Sequence, residues 1–195
     1  MSRLAQAGRF FYIRTSKNRG DPMFKPDYPA ALSSPVLPVT PIDVNLLVES
    51  VEASRESPRG RIILPLHKQG NDPLQRMLNA LQPNSYIHPH RHAVERGESL
   101  IVVSGTLLCL FFNDAGGVEQ SFRLQAGSDL FGVDIDGGVW HCFMALEPDT
   151  VLFEVKPGPY NAETDKEFAL WAPEECSPEA AGYLEALRQY STTSE

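Results

Sequence analysis

From Tyr86 to Lys156 the sequence alternates short runs rich in Val, Leu, Ile, Phe and Thr with clusters of Gly, Asn, Asp and Ser. Such runs are shorter than the roughly 10–12 residues a packed helix needs, but they suit strands. They fall at residues 86–92, 99–104, 106–113, 119–124, 130–134, 139–146 and 150–156. Ser104-Gly105 and Asn113-Asp114-Ala115-Gly116-Gly117 supply residues that accept positive φ in tight hairpin connections. Strands joined in this way pair antiparallel and must bury a face. The expectation is an all-β barrel or sandwich.

A chain of 195 residues is the size of one domain with one sizeable core. Its 22% charged and 42% hydrophobic residues are those of a soluble globular protein. The net charge of -8 repels phosphate backbones and anionic membrane surfaces, so neither nucleic acid nor a membrane is an expected partner. Cys109, Cys142 and Cys176 are odd in number and form no CxxC unit, which fits a reducing compartment. No apolar run approaches the roughly 20 residues a bilayer requires, and Gly8 and Arg9 interrupt the place of a signal peptide. The expected location is cytoplasmic. Residues 1–20 hold five basic residues and no acidic one, a bias shared by organelle transit peptides and by solvated tails.

Residues 19–41 are crowded with Pro, Gly, Ser and Asp and lack a periodic apolar pattern. Residues 1–40 are therefore read as an extended arm and residues 41–190 as a single domain. Asp43 can cap a helix with Val44, Leu47, Val48 and Val51 as its apolar stripe, ended by Ser57-Pro58-Arg59-Gly60. After Gly182, residues 183–190 read as a short terminal helix ahead of a polar, frayed end at 191–195. Residues 72–82 obey two rules at once. Asp72, Pro73 and the stripe Leu74, Met77, Leu78 and Leu81 form a helix signature. Pairing in a sheet would instead make 76–82 extended, with Gln82-Pro83-Asn84-Ser85 as the turn.

Four of the five histidines fall in two places: His88, His90 and His92 together, and His141 about fifty residues later. Side chains at i and i+2 on a strand share a face about 6.6 Å apart, so two imidazoles of a His-x-His word can reach one ion at about 2.1 Å. His88 and His92 are roughly 13 Å apart along a regular strand, too far for donors that lie within about 4.2 Å on one ion. Imidazoles with a carboxylate suit Fe, Mn, Ni, Zn or Cu rather than Mg or Ca. Glu98 opens the next run, with Glu95 as its rival, and His141 follows Asp136-Gly137-Gly138-Val139-Trp140. Cys142 faces away from His141 by strand alternation. His67 has no expected role, and Phe111, Phe112, Phe122, Phe131 and Phe143 read as barrel packing.

These words resemble the cupin superfamily, whose first motif runs His-x-His, a few residues, Glu, six residues, Gly, and whose second runs Pro-x-Gly-x-x-His. His90, His92, Glu98 and Gly105 match the first, and Gly138 and His141 the second. The spacing from His92 to Glu98 is longer than usual, Asp136 stands at the proline, and Ala145 stands where asparagine is common. Further words are similar to the WbuC-type cupin-fold metalloproteins over about residues 43–187: Ser57-Pro58-Arg59-Gly60-Arg61, the run from Asp72 to Leu81, Lys156-Pro157-Gly158-Pro159-Tyr160, and Thr164-Asp165-Lys166-Glu167-Phe168. The resemblance implies a cupin-type jelly-roll β-barrel with short flanking helices at both ends. It makes 76–82 a strand, because tertiary pairing overrides local propensity in short segments. It also implies one divalent transition metal (Fe, Mn, Ni or Zn) on His90, His92, Glu98 and His141, a homodimer, and a setting in surface-polysaccharide metabolism.

Lys156, Tyr160 and His88 are candidate contacts to a small-molecule ligand, with His88 along the pocket wall beside the ion. For Lys156 and Tyr160 the plainer reading is a chain reversal at Pro157-Gly158-Pro159. The expected ligand is oxygen-rich, a sugar or nucleotide sugar, which the ion would polarise in isomerase- or epimerase-like chemistry. An iron-dependent dioxygenase and a non-catalytic small-molecule or sugar binder are the alternatives. No Ser-His-Asp arrangement, phosphate loop or paired-carboxylate motif is present, so hydrolase and kinase chemistry have no foothold.

Overall fold

The computed structural model describes residues 28–192, and the readings made on 1–27 and 193–195 lie outside them. The elements follow in the order α1 (Val44–Glu56), β1 (Arg61–Pro65), β2 (Leu74–Leu81), β3 (His90–Arg91), β4 (Glu98–Ser104), β5 (Thr106–Phe112), β6 (Val118–Gln125), β7 (Gly132–Ile135), β8 (Trp140–Ala145), β9 (Thr150–Pro157), β10 (Glu167–Phe168) and α2 (Ala180–Arg188), closed by a 3-10 turn at Gln189–Thr192. The strands form two five-stranded antiparallel sheets, β1-β2-β9-β4-β7 and β10-β3-β8-β5-β6. With β1 and β10 set aside as added edges, the eight strands β2 to β9 are ordered 2-9-4-7 and 3-8-5-6. That is the strand order of a jelly roll.

Alternation along the strands divides the apolar residues among three cores. Leu81, Leu100, Val102, Leu107, Cys109, Phe143 and Leu152 meet between the sheets. Ile62, Leu64, Leu78, Ala80 and Val151 face outward from the first sheet and are covered by Leu46, Leu47 and Val51 of α1. Leu108, Leu110, Cys142 and Met144 face outward from the second sheet and meet Leu184 and Leu187 of α2. Each fully buried Leu contributes about 1.5–3 kcal/mol relative to exposure. The two helices thus cap the sandwich on opposite sides. The described part of the arm runs over the α1 side, where Tyr28 and Leu32 join the core and Ala31 bridges Ile63. Among the described residues no helix is long and apolar enough to cross a membrane.

Several local expectations are corrected. Asp43 does cap α1, its carboxylate accepting from the Leu46 N–H at 3.1 Å. The buried stripe is rotated, however: Val44 and Val48 are exposed while Ser50 and Ser54 lie against the sheet. Both hydroxyls donate to carbonyls of their own helix, Ser50 to Leu46 and Ser54 to Val51, so they can be buried without an orphaned polar atom. Residues 74–81 are strand, as expected, with ladders on both sides. Asp72 accepts from the upstream N–H groups of Lys68 and Gln69 instead of capping a helix downstream.

Of residues 86–92 only His90–Arg91 is strand, because Pro89 has no N–H to give a ladder. Phe131 is half exposed rather than packed, and Phe112 packs outward against Trp171. The terminal helix starts at Ala180 and includes Gly182. The strand β10 was not expected at all. Its two residues gain their pairing from β3, with Glu167 opposite Arg91 and Phe168 opposite His90.

Candidate metal centre

The register of the second sheet sets His90 on β3 directly opposite His141 on β8, so their side chains emerge on one face. His92 lies two residues past His90 and returns to that face. The chain then turns at 93–97, where the Arg96 N–H donates to the Ala93 carbonyl at 2.8 Å. Glu98 follows as the first residue of β4 in the opposite sheet, buried at the head of an alternating pattern. Both sheets therefore supply donors at one end of the sandwich. Two glycines make the close approach possible. A Cβ on Gly137 would stand 2.2 Å from the Ala93 carbonyl oxygen. Gly138 adopts φ of 86° and donates its N–H to the His92 carbonyl at 2.9 Å.

One ring nitrogen from each of His90, His92 and His141 lies within 4.8 Å of the others, and all three residues are buried. Among the largest fully buried side chains His141 is the polar exception in an aliphatic set. Each Nδ1 is committed to a backbone carbonyl: His90 to His88 at 2.9 Å, His92 to Asp165 at 2.5 Å and His141 to Val139 at 2.9 Å. A carbonyl has no proton to give, so each Nδ1 is the donor and Nε2 is the ring nitrogen left to face the interior.

Two of these Nε2 atoms approach a carboxylate. His141 Nε2 is 2.9 Å from Glu98 Oε1 and His92 Nε2 is 3.2 Å from Glu98 Oε2. Despite these distances, His92 Nε2, His141 Nε2 and Glu98 Oε1 are buried without a hydrogen-bond partner. A cation held between these side chains would give the unpartnered atoms a partner. Burial pushes the His90 pKa well down, helped by the charges of Lys166 and His141, so the ring is a neutral donor. Burial pushes the Glu98 carboxyl up, but the contacts of His141 and His92 more than offset it and hold the group well below the usual carboxylate range. Three imidazoles and an ionised carboxylate fit a borderline transition metal.

Glu95 lies exposed in the turn, away from the interior that Glu98 enters. His88 is buried outside the cluster: its Nε2 lies 2.9 Å from the Ala169 carbonyl, and its ring stacks on Phe168 at 5.0 Å. Lys156 is also interior, 3.5 Å from Glu154 and 3.4 Å from Asp165. Tyr160 is half buried and donates its N–H to the Gly70 carbonyl. His67 is buried elsewhere, against Arg76. Cys142 lies in the outer core, on the face away from His141.

Sequence reasoning passed over Asp165 and Lys166, which it met only as letters of a family word. Asp165 is buried; its carbonyl orients His92 and its carboxylate faces Lys156, Arg96 and Lys166. A cleft of about 630 Å³ opens over His92, lined also by Arg91, Gly138, Thr164, Lys166 and Glu167.

A family model described as a domain of unknown function, DUF6016, matches residues 42–124. No curated protein matches the chain. Among solved structures, KdgF from Halomonas sp. is 18% identical, covering 53% of this chain and 82% of that chain at a TM-score of 0.40. Oxalate decarboxylase from Bacillus subtilis is 16% identical, covering 50% of this chain and 24% of that chain at a TM-score of 0.41. A conserved protein of unknown function from Streptococcus pyogenes is 15% identical, covering 52% of this chain and 76% of that chain at a TM-score of 0.40.

Proposed function

We propose that this chain is a metal-binding cupin of the WbuC type that holds one divalent transition ion, Fe, Mn, Ni or Zn, on His90, His92, Glu98 and His141. The observation that carries the reading is the buried convergence of three imidazoles with the Glu98 carboxylate, in which His92 Nε2, His141 Nε2 and Glu98 Oε1 have no hydrogen-bond partner. A metal ion bound there would supply a Lewis acid. The carbonyls of His88, Asp165 and Val139 fix the rings in the tautomer that presents Nε2. The cleft has room for a small oxygen-rich molecule such as a sugar, the ligand class we propose, with surface-polysaccharide metabolism as its setting.

Elemental analysis of protein purified without added metal, and again after reconstitution with each ion, tests the reading. About one ion per chain is expected, with binding weakened by Glu98→Gln and nearly abolished by His141→Ala. Trace occupancy in every case, or equal and negligible effects of the two substitutions, would overturn it.

A further inference from the structure

Lys166 lies at the rim of the cleft, next to the short pairing of β10 with β3. Phe168 pairs with His90 across β10 and β3, so the two side chains share a face. Lys166 immediately precedes β10, on the side of the pairing toward His92. It lines the cleft together with His92, and its side chain is 30% exposed. Asp165, immediately before it, is the residue whose carbonyl bonds to His92 Nδ1. The ammonium is thus carried on the segment that positions a metal ligand.

The charges around it are unevenly matched. Lys156, Lys166 and Arg96 face Glu154 and Asp165, and a single carboxylate, that of Asp165, is shared by all three cations at 3.4, 3.9 and 3.5 Å. Glu98 is the third carboxylate of this interior and brings it to neutrality. A divalent ion then leaves the interior two charges positive, with Lys166 as the cation on the cleft side. Arg91, across the rim, is paired with Glu167 at 2.8 Å, and Glu163 is exposed at the outer edge. The positive excess is therefore deep and the acidic groups are peripheral. An excess of this kind is offset by an anion.

We infer that the cleft selects a ligand bearing an anionic oxygen group, a carboxylate or a phosphate, held by the Lys166 ammonium beside the metal position. This rests on the metal reading and narrows its ligand from oxygen-rich molecules in general to anionic ones. Lys166 is a recognition residue: it touches the ligand and leaves the metal donors as they are.

Calorimetric titration of the metal-loaded chain tests the inference, with metal content measured on the same samples. The probes are gluconate, sorbitol and inorganic phosphate. Gluconate and sorbitol match in length and differ in a terminal carboxylate, and phosphate distinguishes the two anion types. Gluconate or phosphate is expected to bind at least about tenfold more tightly than sorbitol, which charge-assisted hydrogen bonds readily supply. Lys166→Met is expected to lose that preference while still holding about one ion per chain, and Lys166→Arg to restore it. Equal binding of gluconate and sorbitol, or an unchanged preference in Lys166→Met, overturns the inference. Absence of metal from the reconstituted wild-type chain overturns the metal reading instead, and with it the charge excess.

Discussion

Asp165→Asn separates two tasks that one residue performs. The Asp165 carboxylate is 3% exposed and faces Lys156 Nζ at 3.4 Å, Arg96 Nη2 at 3.5 Å and Lys166 Nζ at 3.9 Å. At an effective dielectric of about 20 each such contact has a gross attraction of about 4 kcal/mol, most of which desolvation cancels. Removing one partner of a buried pair, by contrast, costs about 3–5 kcal/mol, since the stranded charge stays buried. Lys156 keeps Glu154 at 3.5 Å and Arg96 keeps two backbone carbonyls, which points to the lower end, about 3 kcal/mol. For a chain of this size that is a fall in Tm of roughly 6–12 °C. The amide has the shape of the carboxylate, and the bond to His92 comes from the backbone, so metal binding is expected to change by less than about tenfold. Urea unfolding of the metal-free proteins measures the first effect and elemental analysis the second. A stability loss under about 1 kcal/mol would refute the charge reasoning, and loss of the ion would refute the division of labour.

Further outcomes follow from the same geometry. The His90 pKa is pushed well below the ordinary value by burial, then by Lys166 and His141, so its contribution to the stability of the metal-free chain is full above about pH 6.5 and is lost as pH falls below it. Unfolding free energy is expected to drop by about 1 kcal/mol from this group between pH 6.5 and 5.5, and a flat profile there would contradict the assignment. Gly137→Ala drives a methyl into the Ala93 and Val94 carbonyls, so thermal unfolding should show a loss of about 1–3 kcal/mol together with weaker metal binding. His88→Ala removes a buried ring stacked on Phe168 and takes one of two donors from the Ala169 carbonyl, costing about 2–3 kcal/mol, yet metal analysis should find the ion retained.

The sandwich was legible because its strands are short, alternating and separated by turn chemistry, and the word His90-x-His92 announced a chelate on one strand face. The strand at Leu74–Leu81 was legible only through the resemblance, since the ladders that outweigh its helix signature come from residues distant in sequence. The direction of α1 was misread because valine and serine were ranked by hydropathy, whereas the helix buries hydroxyls that satisfy themselves. Asp165 and Lys166 could not be foreseen. Their importance arises from a two-residue pairing with β3 and from a backbone carbonyl, and neither leaves a periodic trace.

Crystals of the reconstituted protein, with diffraction recorded at the absorption edge of the added metal, test the central claim most directly. One anomalous peak per chain is expected, about 2.0–2.2 Å from the Nε2 atoms of His90, His92 and His141 and within bonding distance of Glu98. A fully reconstituted crystal with no peak between these side chains, or with its peak on His88 instead of His92, would contradict it.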